Sequence, residues 1–254
     1  MQGIMEYDVD INGVKCTYIQ GVYEKSDQAI VYYHGYTKCL KDSLFRARLM
    51  ASLGYNVLVY EQMGHGTRKE ELKLDFKNPN MNFFKVVVSS ITESPNVISF
   101  LAEKEKIHPN KIIFLGHRMG ALVAAGAFVK NPCGKLVAWS GCLNFEKLCD
   151  YYEQKYNLNP EDLSEVKSKI KYYSPFEFLS KLENRPILMV DGDSDESVPA
   201  KFNIETSKVL LPFYKDKTLF SHIVLENTMH GVTITHFEKM HQFLNRKSVL
   251  NYGI

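Results

Sequence analysis

The chain has almost no imbalance of charge: 31 Lys and Arg stand against 29 Asp and Glu, a formal net charge of +2. That leaves no global field to attract nucleic acid or an anionic membrane, so neither is expected as a partner. Long apolar runs are missing too. The longest, Met119 to Val129, stops well short of the ~18 residues that span a bilayer. The opening stretch, MQGIMEYDVD, has neither a basic nor an apolar leader region, and no secretory leader is expected. Cysteines number 5, and Cys16, Cys39, Cys133, Cys142 and Cys149 match no metal-ligand spacing. Reduced thiols in the cytoplasm account for them. No G-x-x-x-x-G-K-[ST], no G-x-G-x-x-G after the first strand and no H-E-x-x-H occurs, which disfavours P-loop and dinucleotide chemistry and gives a metal no support. No metal and no cofactor is expected. Gly at 15 and Pro at 9 are too few for a disordered or collagen-like chain of 254 residues.

What is present is a repeating rhythm of short apolar runs and helical patterns. Ile4 to Val9 and Val14 to Val22 read as a hairpin turned at Asn12-Gly13. Six further runs follow: Ala29–Gly35, Tyr55–Glu61, Lys111–His117, Lys135–Gly141, Arg185–Gly192 and Ser221–Asn227. Their inner residues are apolar without alternation, as parallel strands covered on both faces require. Leu44–Leu53, Phe84–Lys104, Ala121–Lys130, Ala200–Leu211 and Val232–Asn245 carry apolar residues near 3.6 spacing and read as helices. The alternation predicts one α/β domain over residues 1–254, with a mostly parallel central sheet and helices on both faces. The rhythm breaks once, over residues 142–181. That stretch is dense in aromatics, from Phe145 through Tyr152 and Tyr156 to Phe178. It reads as a small helical cap over the carboxyl edge of the sheet, or as an accessory helix pair filling core.

Four short motifs fall at predicted strand ends: His34-Gly35-Tyr36, Gly64-His65-Gly66, Gly116-His117-Arg118-Met119-Gly120, and a late acid followed by a later His. The acid lies in Gly192-Asp193-Ser194-Asp195-Glu196-Ser197-Val198-Pro199 and the His in Met229-His230-Gly231. Each alone arises often by chance. Their order resembles the α/β-hydrolase superfamily over nearly the whole chain, and is similar to small bacterial cytoplasmic serine esterases. The resemblance implies hydrolysis of a carboxylic ester through an acyl intermediate formed on a Ser held in a G-x-S-x-G elbow. It implies Asp195 as the acid, with Asp193 the nearer rival, and His230 as the general base. The backbone N–H groups of Tyr36 and Met119 are implied as the oxyanion hole. His34 and His117 are pocket candidates beside those loops, although His34 also reads as structural. His65, His108, His222, His236 and His241 are read as structural or exposed, and the Gly64-His65-Gly66 element as a turn passing beneath the pocket.

The departure is Arg118, which occupies the nucleophile position. A guanidinium stays protonated and its lone pairs are delocalised, so it accepts no acyl group. Three readings stay open. The chain is a pseudo-hydrolase that binds a small acyl or anionic ligand or a protein partner. Or another residue attacks, with Cys39, Ser140 and Cys142 at neighbouring strand ends. Or Arg118 is a substitution introduced into an ordinary serine esterase. The expected ligand is a small ester or acyl compound, and no residue argues for any oligomeric state.

Overall fold

The computed structural model describes residues 4–21, 26–72 and 79–246. The opening hairpin pairs β1 (Met5–Ile11) with β2 (Val14–Gln20), antiparallel and in register Ile11↔Val14. Asn12 and Gly13 between them both have positive φ, 54° and 85°, as a two-residue turn matched to strand twist demands. Val22, expected to end the second strand, lies outside the described residues.

The remaining strands are β3 (Ala29–Tyr33), β4 (Asn56–Tyr60), β5 (Ile112–His117), β6 (Lys135–Trp139), β7 (Ile187–Gly192) and β8 (Phe220–Leu225). They form one eight-stranded sheet in the order β1-β2-β4-β3-β5-β6-β7-β8. Pairing is antiparallel from β1 to β4 and parallel from β4 through β8. The β3, β4 and β5 strands are buried at every position, which is why their sequence runs without alternation. Each completely buried Val, Leu or Ile there stabilises the fold by ~1.5–3 kcal/mol. Alternate residues feed two cores. Val31, Tyr33 and Leu58 face one, and Ile30, Tyr32 and Val59 the other.

The first core is covered by α2 (Pro79–Thr92), α3 (Ser94–Glu103) and α4 (Met119–Lys130). The second is covered by α1 (Leu40–Ser52) and α8 (Ile234–Leu244), while α7 (Lys201–Leu210) follows β7. The long apolar run is α4, buried at every residue from Met119 to Val129. Among the described residues, no helix is long and apolar enough to cross a membrane.

One predicted helix is two. Phe84–Lys104 divides at Glu93, with Pro95 in the first turn of α3. A proline inside a continuous helix loses a hydrogen bond and clashes with the preceding turn, but a first turn accepts it. Between β6 and β7 run α5 (Phe145–Tyr156), α6 (Pro160–Lys171) and a 3-10 stretch, Pro175–Lys181.

Candidate active site

Arg118 is the single residue between β5 and α4, at φ 59° and ψ −123°. Non-glycine residues seldom take that conformation, and it throws the side chain outward at the sheet's carboxyl edge. The two flanking glycines make the turn possible. A Cβ on Gly116 would overlap the Gly120 carbonyl, and one on Gly120 would overlap the Tyr33 carbonyl. The strand, helix and neighbouring strand therefore approach backbone to backbone. The Arg118 N–H donates to Trp139 O at 3.0 Å, fixing the turn against β6.

The loops after β7 and β8 are stitched together: Asp193 N donates to Leu225 O at 3.0 Å and Ser194 N to Thr228 O at 3.1 Å. This brings Asp195 to His230, with Oδ2 2.6 Å from Nδ1. The other carboxylate oxygen accepts from Ser197 N at 2.8 Å and Val198 N at 2.9 Å. Both oxygens are thus committed, and the carboxylate is fully buried while the imidazole stays partly exposed. Nδ1 faces Asp195, so Nε2 is the ring nitrogen left for the pocket. Asp193 points elsewhere: exposed, it accepts from Ser194 Oγ at 2.8 Å and Thr228 N at 3.2 Å. Those hydrogen bonds, Ser194's first, hold its carboxyl below the ordinary value.

A cavity of about 220 Å³ opens over these groups, lined by Tyr36, Thr37, Phe83, Arg118, Met119, Tyr152, Tyr156, Ser197, Val198 and His230. Met119 opens α4, so its N–H has no acceptor within the helix. The Arg118 Nε and Nη2 both donate to the His230 backbone carbonyl, the first at 2.9 Å. Burial lowers the Arg118 pKa and Asp195 opposes it, and the guanidinium remains the positive charge of the pocket.

Two expected pocket residues are corrected. His34 and His117 do not line the cavity, because both rings are buried behind it. His34 Nδ1 lies 3.0 Å from Gly35 O, and its Nε2 is 3.3 Å from both Gln62 N and Glu61 Oε1. The His117 ring stacks obliquely behind His230, with centroids 6.1 Å apart. Burial, then Arg46 and Arg118, hold His117 neutral.

Cys39, Ser140 and Cys142 are also outside the lining. Cys39 precedes α1, Ser140 is buried, and Cys142 Sγ donates to Asn144 O at 3.1 Å with burial pushing its thiol up to about 12. Such a thiol supplies no thiolate near neutral pH.

No local pattern in the chain points to Phe83 or Ser197 as lining residues. His65, read as part of a turn, has a more definite place: its Nε2 accepts from Thr37 N at 3.1 Å, and its ring packs on Tyr36 at 5.4 Å. It therefore steadies the loop that carries Tyr36. A second Asp–His pair is invisible to motif reading. Asp191 Oδ2 lies 2.9 Å from His222 Nε2 and accepts from Asn203 Nδ2 at 2.8 Å. Asn203 also holds Gly141 O and Leu143 N, so this buried set fastens the exit of β6. No group of three or more His, Cys, Asp or Glu among the described residues could hold a metal ion.

A mostly parallel sheet, a strained strand-to-helix elbow and an acid–His pair from the last two strand ends define an α/β-hydrolase fold. Residues 41–248 match the model of the prolyl oligopeptidase family, and the chain belongs to that family. It is 22% identical over 199 residues to Esterase YjfP of Escherichia coli, covering 75% of this chain and 77% of that protein. In structure it is similar to TT1662 from Thermus thermophilus, with TM-score 0.74, 18% identity and coverage of 96% of this chain and 97% of that one. It also resembles the acylaminoacyl peptidase of Pyrococcus horikoshii, with TM-score 0.70 and 15% identity, covering 100% of this chain and 43% of that one.

Proposed function

We propose that the cavity is a carboxylic-ester hydrolase site with Arg118 standing where the acyl-accepting hydroxyl belongs, so that this chain turns over esters feebly. The observation that carries the reading is the Asp195–His230 pair at 2.6 Å beside an elbow of strained φ. With a hydroxyl at position 118, His230 Nε2 takes its proton as the oxygen attacks the ester carbonyl. Asp195 holds the Nδ1–H and stabilises the imidazolium. The Tyr36 and Met119 N–H groups receive the oxyanion. Collapse releases the alcohol, which takes the proton back from His230, and water then frees the carboxylate by the same route. Arg118 removes the attacking atom and leaves the other parts in place.

The cavity is small for a ligand site, and Tyr36, Phe83, Tyr152 and Tyr156 wall it. That favours a short acyl or aromatic ester over a peptide. In this reading residues 142–181 act as a cap, the partner is a small ester or acyl compound, and the chain works in the cytoplasm. The alternative, a pseudo-hydrolase that holds a small carboxylate without cleaving it, is favoured by one observation: the Arg118 guanidinium lines the cavity beside the start of α4.

The test is hydrolysis of p-nitrophenyl acetate and butyrate by this chain and by Arg118→Ser, with circular dichroism to confirm folding. The expected result is feeble turnover by this chain and a gain of roughly 10³-fold or more in Arg118→Ser. Activity in this chain that survives changing Arg118 would mean that another residue attacks. If neither protein turns over, and acetate or butyrate raises the melting temperature of this chain only, the binding reading replaces the esterase one.

A further inference from the structure

On the face of the sheet covered by α1 and α8, behind the elbow, polar side chains from five elements gather: Tyr32, Arg46, His117, Trp139 and His236. His117 and Trp139 are register partners on adjacent parallel strands and project to the same face. The indole of Trp139 meets the His236 ring edge-on, with centroids 5.7 Å apart. Arg46 reaches in from α1, its Nη1 donating to Tyr32 Oη at 3.4 Å. Its charge, secondary to burial, helps to hold both His117 and His236 neutral.

Three polar atoms of this group are buried without a hydrogen-bond partner: His117 Nε2, Trp139 Nε1 and His236 Nε2. All three residues are more than nine-tenths buried, Trp139 and His236 completely. Orphaned buried groups carry their full desolvation penalty, so three of them on one face of the sheet call for a partner. The direction of their hydrogens tells what kind. Trp139 Nε1 is a donor only. His236 Nδ1 accepts from Thr233 N at 3.1 Å, so the neutral ring carries its proton on Nε2 and offers a second donor. Arg46 forms no ion pair among the described residues. Two orphan donors and an unneutralised guanidinium share one side of the sheet.

We propose that this pocket-side cluster binds a small inorganic anion of the halide type, held by Trp139 Nε1–H, His236 Nε2–H and the Arg46 guanidinium, with the His117 ring between it and His230. The two donors and the positive charge favour an anion, which accepts from all three groups without offering a hydrogen of its own.

The chain has 1 Trp, so Trp139 supplies a single indole resonance that reports on the site alone. The experiment titrates sodium chloride, and separately sodium bromide, into the full chain at neutral pH, with sodium gluconate holding ionic strength constant. The expected result is a saturable shift of the indole N–H cross-peak, accompanied by a melting temperature that rises and levels off with halide. Arg46→Gln is expected to lose both responses, and Arg46→Lys to keep a weakened one. Arg46 is only partly buried, on the outer helix α1, so these variants leave the strand core intact. An indole peak indifferent to halide means that water alone occupies the site, and overturns the proposal. So does a shift that gluconate reproduces, or one that persists unchanged in Arg46→Gln. None of these outcomes depends on ester turnover.

Discussion

At the scale of single residues, the site is a buried carboxylate that holds an imidazole, beside an arginine at the elbow. Asp195 is held by three hydrogen bonds, from Ser197 N, Val198 N and His230 Nδ1. In the proposed mechanism it fixes the tautomer and orientation of His230, which an amide of the same shape cannot do because it presents the wrong hydrogen-bonding pattern. In the Arg118→Ser background, Asp195→Asn is therefore expected to lower kcat by roughly 10⁴-fold with little change in KM. Steady-state kinetics on p-nitrophenyl butyrate checks this, and a loss under tenfold would remove Asp195 from the mechanism. Asp195 and His230 are legible in the sequence through the resemblance of its motif order to that of α/β-hydrolases, and the structure places the two side chains in contact. Phe83 and Ser197 are not, since their place in the cavity comes from packing of α2 and a loop against α5, which no local pattern encodes.

At the scale of elements, strands are easier to read than their ends. β3, β4 and β6 each stop one or two residues before the apolar run does. Gly35, Glu61 and Gly141 stay buried but leave the ladder to build the loops around the site. The helix break at Glu93 is hidden because apolar spacing continues across it, although Pro95 is an available mark. The aromatic density of residues 142–181 has a dual outcome. Phe145 is buried core, whereas Tyr152 and Tyr156 of α5 wall the cavity. Tyr152 also packs edge-on against Phe83 at 5.6 Å, closing the cavity between α5 and α2. Replacing that ring with a smaller side chain lengthens the space for an acyl group. Tyr152→Val in the Arg118→Ser background should raise the ratio of kcat/KM for p-nitrophenyl hexanoate over acetate several-fold, since each buried methylene is worth ~0.8 kcal/mol. An unchanged ratio would mean that the acyl chain lies elsewhere.

At the scale of the whole molecule, both faces of the sheet bury polar groups. One carries Asp191 with Asn203 and Arg68 with Glu93, and the face under α1 and α8 carries His236 and Trp139 beside Arg46. The buried histidines make the stability of the fold depend on pH. Burial first, and the charge of Arg46 second, push His236 from its ordinary 6.5 down to about 4. Burial likewise holds His117 well below its ordinary value. A base whose folded pKa is depressed takes up its proton more readily when unfolded, so acid favours the unfolded chain. The His236 contribution is complete above about pH 6.5 and is lost as pH falls toward 4. Its upper bound is about 3 kcal/mol, from the size of that displacement. Urea unfolding should accordingly show a lower midpoint at pH 5 than at pH 7 in chloride-free buffer. His236→Gln keeps an acceptor for the Thr233 N–H at the start of α8 but cannot be protonated, so its midpoint should fall less over the same interval. Equal falls in the two proteins would show that His236 is not what couples this fold to pH, and would move the dependence to His117 and the other buried histidines.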